Sequence, residues 1–76
     1  MKKFLEYLLG LLVDNKKELV IEEIALEENS FQYNIKAAEG DVGKIIGKDG
    51  KIIQAIRQVA KILAVKQATR VRIQLV

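Results

Sequence analysis

The 76-residue chain contains no cysteine, no histidine and no proline. Without cysteine there are no disulfide staples, and without cysteine and histidine the thiolate and imidazole ligands of common metal sites are missing. Ser30 and Thr69 are the only aliphatic hydroxyls, so a nucleophile and its base cannot readily be paired, and catalysis is not expected. No cofactor is expected either. The lack of proline leaves glycine as the one strong punctuation mark along the chain. Absence of cysteine fits a reducing cytoplasm. A single domain of this length buries only about 60% of the surface its unfolded chain exposes, so its core is marginal and a partner subunit is expected.

Long apolar runs are also missing. Lys2 and Lys3 lead a stretch from Phe4 to Val13 that has the outline of a secretory leader, but Glu6 interrupts it and no small-residue cleavage site follows. It is well short of the roughly 20 residues that a membrane span requires. With only two lysines on this segment, a basic membrane-surface helix is not expected.

What the chain does have is charge, unevenly placed. From Lys44 onward eight basic residues stand against Asp49 alone, a net of +7, whereas the first 43 residues carry five basic and nine acidic groups, a net of −4. Such asymmetry makes one part of a small domain attractive to polyanions and orients their approach. Solvated surface lysines would give the same composition.

Residues 3–13 read as a helix whose apolar face, with Phe4, Leu5, Leu8, Leu9, Leu11 and Leu12, is wide enough to cover a sheet and meet a second molecule. Asp14 to Lys17 read as a break. Residues 19–27 fit a strand, although Glu22 and Glu23 spoil the alternation and leave a helix open as the alternative. After a tight turn at Glu28-Asn29-Ser30, Phe31, Tyr33, Ile35 and Ala37 alternate with polar residues, a clear strand that should pair antiparallel with the first. Asp41 is placed to cap a short helix over 42–46, which Gly47 ends. A longer helix over 51–65 and a third strand over 69–76 complete an α+β order, α-β-β-α-α-β. The crossover makes the third strand parallel to the second, in a three-stranded mixed sheet with three helices on one face. Gln32, Asn34, Lys36, Arg70, Arg72 and Gln74 fall on the other face.

The informative run is Val42-Gly43-Lys44-Ile45-Ile46-Gly47-Lys48-Asp49-Gly50-Lys51-Ile52-Ile53. Gly47 and Gly50 lack a Cβ, so the loop can turn sharply and let a phosphodiester backbone come close to its amides. Gly50 precedes a helix whose unpaired N–H groups favour phosphate oxygens. Lys48 adds a positive charge at the tip, flanked by Lys44 and Lys51. Asp49 puts a negative charge where phosphate should lie, or caps the following helix. In isolation a Gly-x-x-Gly pair is as well explained by a linker that ends one helix and starts the next. A nucleotide-binding Gly-x-x-x-x-Gly-Lys-Ser/Thr loop is excluded, because Gly43 and Gly47 enclose only three residues and Asp49 follows Lys48.

This run, a hydrophobic-Ile-Gly-x-x-Gly-x-x-Ile pattern, resembles the signature of KH domains. With a helix and strand before the core, residues 1–27 ahead of a β-α-α-β unit over 30–76, the whole chain resembles a type II KH domain, and in size the small bacterial single-KH proteins of the KhpA type. The resemblance implies a groove for about four nucleotides of single-stranded RNA. It implies that Gly47, Lys48, Asp49 and Gly50 clamp the backbone, that Ile45, Ile46 and Ile53 form a helical wall, and that the third strand near Arg70 and Arg72 forms the opposite one. Read from the residues alone, Arg70 and Arg72 are first an exposed strand face. The resemblance further implies an RNA chaperone or post-transcriptional regulator, dimeric with itself or with another KH-containing protein. A pure interaction module with little RNA affinity is the competing reading.

Overall fold

The computed structural model describes all residues, Met1–Val76. Helix α1 spans Lys2–Gly10 and buries Leu5 and Leu9, the i and i+4 positions of one face. The sequence predicts three further helical residues. The chain instead tightens into a turn, with the Leu11 and Leu12 N–H groups donating to the Leu8 and Leu9 carbonyls. That tightening, common where a helix runs out of i+4 partners, still delivers Val13 to the core. A single 3₁₀ turn at Lys16–Glu18 leads into the sheet.

Strand β1 spans Val20–Glu27 and strand β2 spans Ser30–Lys36. They pair antiparallel with Ile21 opposite Ile35 and Glu23 opposite Tyr33, and an irregularity falls between Ala25 and Glu27. The helical alternative for β1 is thereby excluded. Its poor alternation has a physical source: β1 is an edge strand, and Ile21 is its one buried residue. Asn29 makes the turn at φ 60°, a conformation asparagine tolerates better than most residues.

Helix α2 spans Glu39–Ile46 and helix α3 spans Lys51–Lys66, followed by strand β3 over Arg70–Leu75. Strand β3 lies parallel to β2, Tyr33 opposite Ile73, in the order β1-β2-β3. The mixed sheet and the order α-β-β-α-α-β agree with the sequence reading. Leu5, Leu9, Ile21, Tyr33, Ile35, Ile45, Ile53, Ile56, Ala60 and Ile73 form one core between helices and sheet. Only 13 residues are buried, and Tyr7 on α1, Leu11 in the turn after it, and Val59, Ile62 and Val65 on α3 are exposed. On the uncovered sheet face Gln32 donates to Asn34 and to Gln74, and Asn34 donates to Glu22.

Helix α3 ends in a Schellman arrangement: the Thr69 N–H donates to the Ala64 carbonyl at 2.8 Å and the Ala68 N–H to Val65 at 3.1 Å. Ala68 therefore sits where glycine is preferred, at φ 55°. Ala68→Gly relieves a left-handed strain of roughly 1–2 kcal/mol and loses part of it to unfolded-state entropy. The expected result is about 1 kcal/mol of added stability, read as a higher denaturation midpoint at unchanged m-value. An unchanged or lower midpoint would mean that the turn is not held in this conformation.

Candidate nucleic-acid interface

Helix α2 stops because Gly47 adopts φ 75°, ψ 176°, a region essentially confined to glycine. The next three residues make one 3₁₀ turn in which Asp49 has φ 57° and Gly50 φ 73°. These reversals push Lys48 and Asp49 into solvent and aim the loop along the start of α3. The two glycines are needed for different reasons. A Cβ on Gly47 would lie 2.5 Å from Ile52 Cγ1, whereas one on Gly50 would meet nothing within 4 Å.

Gly50 is the N-cap of α3, and no side chain caps that helix. The expected Asp49 cap is therefore not formed. The Gly50 N–H donates to the Gly47 carbonyl at 3.2 Å and the Lys51 N–H to that of Lys48, so the helix start is closed by the backbone turn and by no side chain, with Lys48 and Lys51 exposed beside it.

Lys44 is placed differently from the sequence expectation. Its ammonium pairs with the Asp14 carboxylate and lies 3.7 Å from that of Asp41, so this half-exposed lysine is already engaged by two carboxylates. The hydrogen bond to Asp14 is the main reason its pKa is raised; desolvation opposes this, and the charges of Asp14 and Asp41 add to it. Asp41 does not cap α2 either. The helix begins two residues earlier than its supposed cap, after Ala38, with no side-chain cap. The Asp41 carboxylate, 3% exposed, instead accepts the Asn15 N–H at 2.9 Å and the Asp14 N–H at 3.1 Å, stitching α2 to the segment after α1.

Those two backbone donors lower the Asp41 pKa, burial works against them, and Lys44 lowers it further. A carboxyl whose pKa is depressed on folding stabilises the fold above its unfolded value and loses that contribution as pH falls through the folded value. Thermal stability should therefore decline below about pH 4, the ordinary carboxyl range. Asp41→Asn should be less stable at neutral pH and show a flatter acid limb. An acid limb identical to that of the parent protein would contradict this role.

Of the three isoleucines assigned to a helical wall, Ile45 is fully buried and Ile53 nearly so. They hold α2 and α3 in the core and present little surface to a ligand. Ile46, 37% exposed beside Gly47, remains as an apolar contact next to the loop.

Beyond the loop, α3 and β3 enclose a groove of about 720 Å³ that brings Arg70 and Arg72 together with Arg57 and Lys61. Arg57 Nε donates to the Ile73 carbonyl at 3.3 Å, bridging the groove. No acidic side chain lines it. In the sequence, Arg57 and Lys61 stand in the basic half with no site of their own. Their i, i+4 spacing on the flank of α3 was the available signal.

The element order, the parallel third strand and the Gly-x-x-Gly loop between α2 and α3 define a KH domain of the type II arrangement. The family model for the KhpA/KhpB KH domain matches residues 2–75, and the chain belongs to this family. It is 41% identical over 76 residues, the full length of both chains, to the RNA-binding protein KhpA of Clostridium acetobutylicum. It is 37% identical over 75 residues to that of Chlamydia trachomatis, covering 99% of this chain and 95% of the relative. Relatives of this kind are named as RNA-binding proteins, a non-catalytic class. No solved structure matches. No helix is long and apolar enough to cross a membrane.

Proposed function

We propose that the chain binds single-stranded RNA without catalysis, clamping the sugar-phosphate backbone at Gly47, Lys48, Asp49 and Gly50. The observation that carries this is the uncapped start of α3 behind two positive-φ glycines, with Lys48 and Lys51 exposed on either side. The positive end of the helix dipole, which no side chain caps, and the two ammoniums favour the charge of a phosphate. Ile46 offers the first base an apolar contact, and Arg57 and Arg72 at the near part of the groove continue the positive path. Lys44 is assigned a structural role.

Asp49 opposes phosphate binding and keeps affinity modest, which suits a chaperone or post-transcriptional regulator that releases its RNA in the cytoplasm. Asp49→Asn retains a side chain tolerant of φ 57° and should tighten RNA binding severalfold. A weaker complex would show that the carboxylate contributes a needed contact.

Titration of the protein with short single-stranded RNA and matched DNA at two salt concentrations tests the reading. The logarithm of the affinity should fall against log salt with a slope of about −0.7 per neutralised phosphate. Absence of saturable binding would count against it.

Pairing, with a second copy or with another KH-containing chain, is supported by the exposed apolar residues Tyr7 on α1, Leu11 just after it, and Val59 and Ile62 on α3. If Leu11→Lys, Ile62→Lys sediments as the parent protein does, these residues are not the contact.

A further inference from the structure

We propose that the free edge of β1 docks an extended basic segment of a partner protein, one with two adjacent lysines or arginines among β-branched residues, which adds to the sheet as a further strand. This surface is separate from the Gly47–Gly50 loop, and the inference rests on no part of the RNA reading. Strand β1 ends the sheet, with β2 on one side and no strand on the other. Six of its eight residues are exposed, whereas β2 exposes Lys36 alone, so no helix or loop covers the outer edge. An edge strand directs alternate N–H and C=O groups away from its sheet, where an added strand can take them. The pairing with β2 is regular from Val20 to Ala25 and breaks before Glu27, which leaves Val20–Ala25 as a straight template. Neither lysine nor proline, residues that commonly blunt an edge, falls in β1.

Charge identifies the occupant. Glu18, Glu22, Glu23, Glu27 and Glu28 are all exposed, and no basic residue falls between 18 and 28. The ion pairs of the fold join Lys44 to Asp14 and Asp41, and Lys36, which stands opposite Val20, pairs with none of the five. Such an edge repels a nucleic acid. It also repels a second copy, because two-fold pairing of Val20–Ala25 is centred between Glu22 and Glu23 and sets glutamate against glutamate. By the alternation of a strand, Glu22 lies on the uncovered face with Val20 and Ile24, opposite Asn34, and Glu23 lies on the helix side, opposite Tyr33. Two adjacent basic residues therefore meet one carboxylate on each face, whichever direction the added strand runs. Exposed Val20 and partly buried Ile24 favour β-branched residues beside them. The chain's own β3 does not qualify, since Arg70 and Arg72 are separated by Val71 and fall on the same face.

The test titrates the isotope-labelled full chain with the end-blocked peptide Thr-Val-Thr-Lys-Lys-Val-Thr-Val and follows the backbone amides. Two further peptides serve as controls. One is N-methylated at its four central residues, which keeps both charges and removes the central N–H donors; the other is an isomer with the two lysines at its ends. Saturable shifts should fall on Val20 to Ala25. The N-methylated peptide should bind at least roughly tenfold more weakly, as loss of several backbone hydrogen bonds requires, and the isomer severalfold more weakly through lost register. The Glu22→Lys, Glu23→Lys protein should lose the lysine peptide and bind its Glu-Glu counterpart, a reversal that a folding defect cannot produce.

Equal affinity for the parent and N-methylated peptides would reduce the contact to charge attraction and overturn the proposal. So would the absence of saturable shifts, or shifts confined to Arg70 to Leu75 on the opposite edge. Shifts of the β1 amides that grow with protein concentration when no peptide is present would assign the edge to a second copy, again overturning it. Retention of the lysine peptide at parental affinity by Glu22→Lys, Glu23→Lys would remove the two glutamates from the contact and contradict the proposal. The comparison of three peptides on the parent protein decides the matter even if that variant fails to fold.

Discussion

Replacing Lys48 and Lys51 together by aspartate is expected to abolish measurable binding to short single-stranded RNA while leaving the fold at least as stable. The two lysines flank the start of α3, which no side chain caps, and with Asp49 already present the substituted loop carries three carboxylates where phosphates would dock. Loss of two phosphate contacts alone makes the salt slope shallower by about 1.4, and like-charge repulsion removes what affinity remains. Stability should move the other way. Lys48 and Lys51 are exposed and Lys51 is the first residue of α3, where a carboxylate is worth about 0.3–1 kcal/mol against the helix dipole. Loss of binding together with a raised unfolding temperature separates a functional effect from a folding defect. RNA affinity unchanged in this protein would remove the loop from the site.

The second large effect concerns the glycines, which resemble each other in sequence and differ in the fold. Gly47→Ala puts a Cβ 2.5 Å from Ile52 Cγ1 and 2.8 Å from Ile52 Cβ, and it does so in a backbone region that costs a non-glycine residue about 1–3 kcal/mol. Overpacking adds roughly 1–3 kcal/mol. The total is a large part of the roughly 4–11 kcal/mol expected for a 76-residue domain, so Gly47→Ala should unfold at much lower denaturant or rebuild its loop. Gly50→Asn meets open space at φ 73°, a conformation asparagine accepts, and should cost less than about 1 kcal/mol. Equilibrium denaturation of the two proteins decides the matter. Equal costs would mean that the close approach of Ile52 to Gly47 is relieved by a small movement.

Most of the architecture was legible because it rests on local pattern. The alternation from Phe31 to Ala37, the polar turn before it and the glycine pair each specify a local conformation, and their order restricts the topology. The misplaced features depend on partners distant in sequence. Asp41 was read as a helix cap because it stands before an apolar run, yet its carboxylate serves the amides of Asp14 and Asn15, 27 and 26 residues away. Lys44 looked free because the acid that takes it, Asp14, is 30 residues distant. Ile45 and Ile53 fit both a groove wall and a core, and only the packing of α2 against α3 chooses the core. Arg57 and Lys61 were legible as charges, but their function depends on the parallel strand that closes a groove beside them.

The loop and the adjoining α3–β3 groove are proposed as the RNA site. Amide chemical-shift mapping of the isotope-labelled protein during titration with a short single-stranded RNA tests it most directly. The largest shifts are expected on Gly47 to Lys51, Arg57 and Val71 to Ile73. Shifts confined to Glu22, Gln32 and Asn34 on the uncovered sheet face, with the loop amides unmoved, would contradict it.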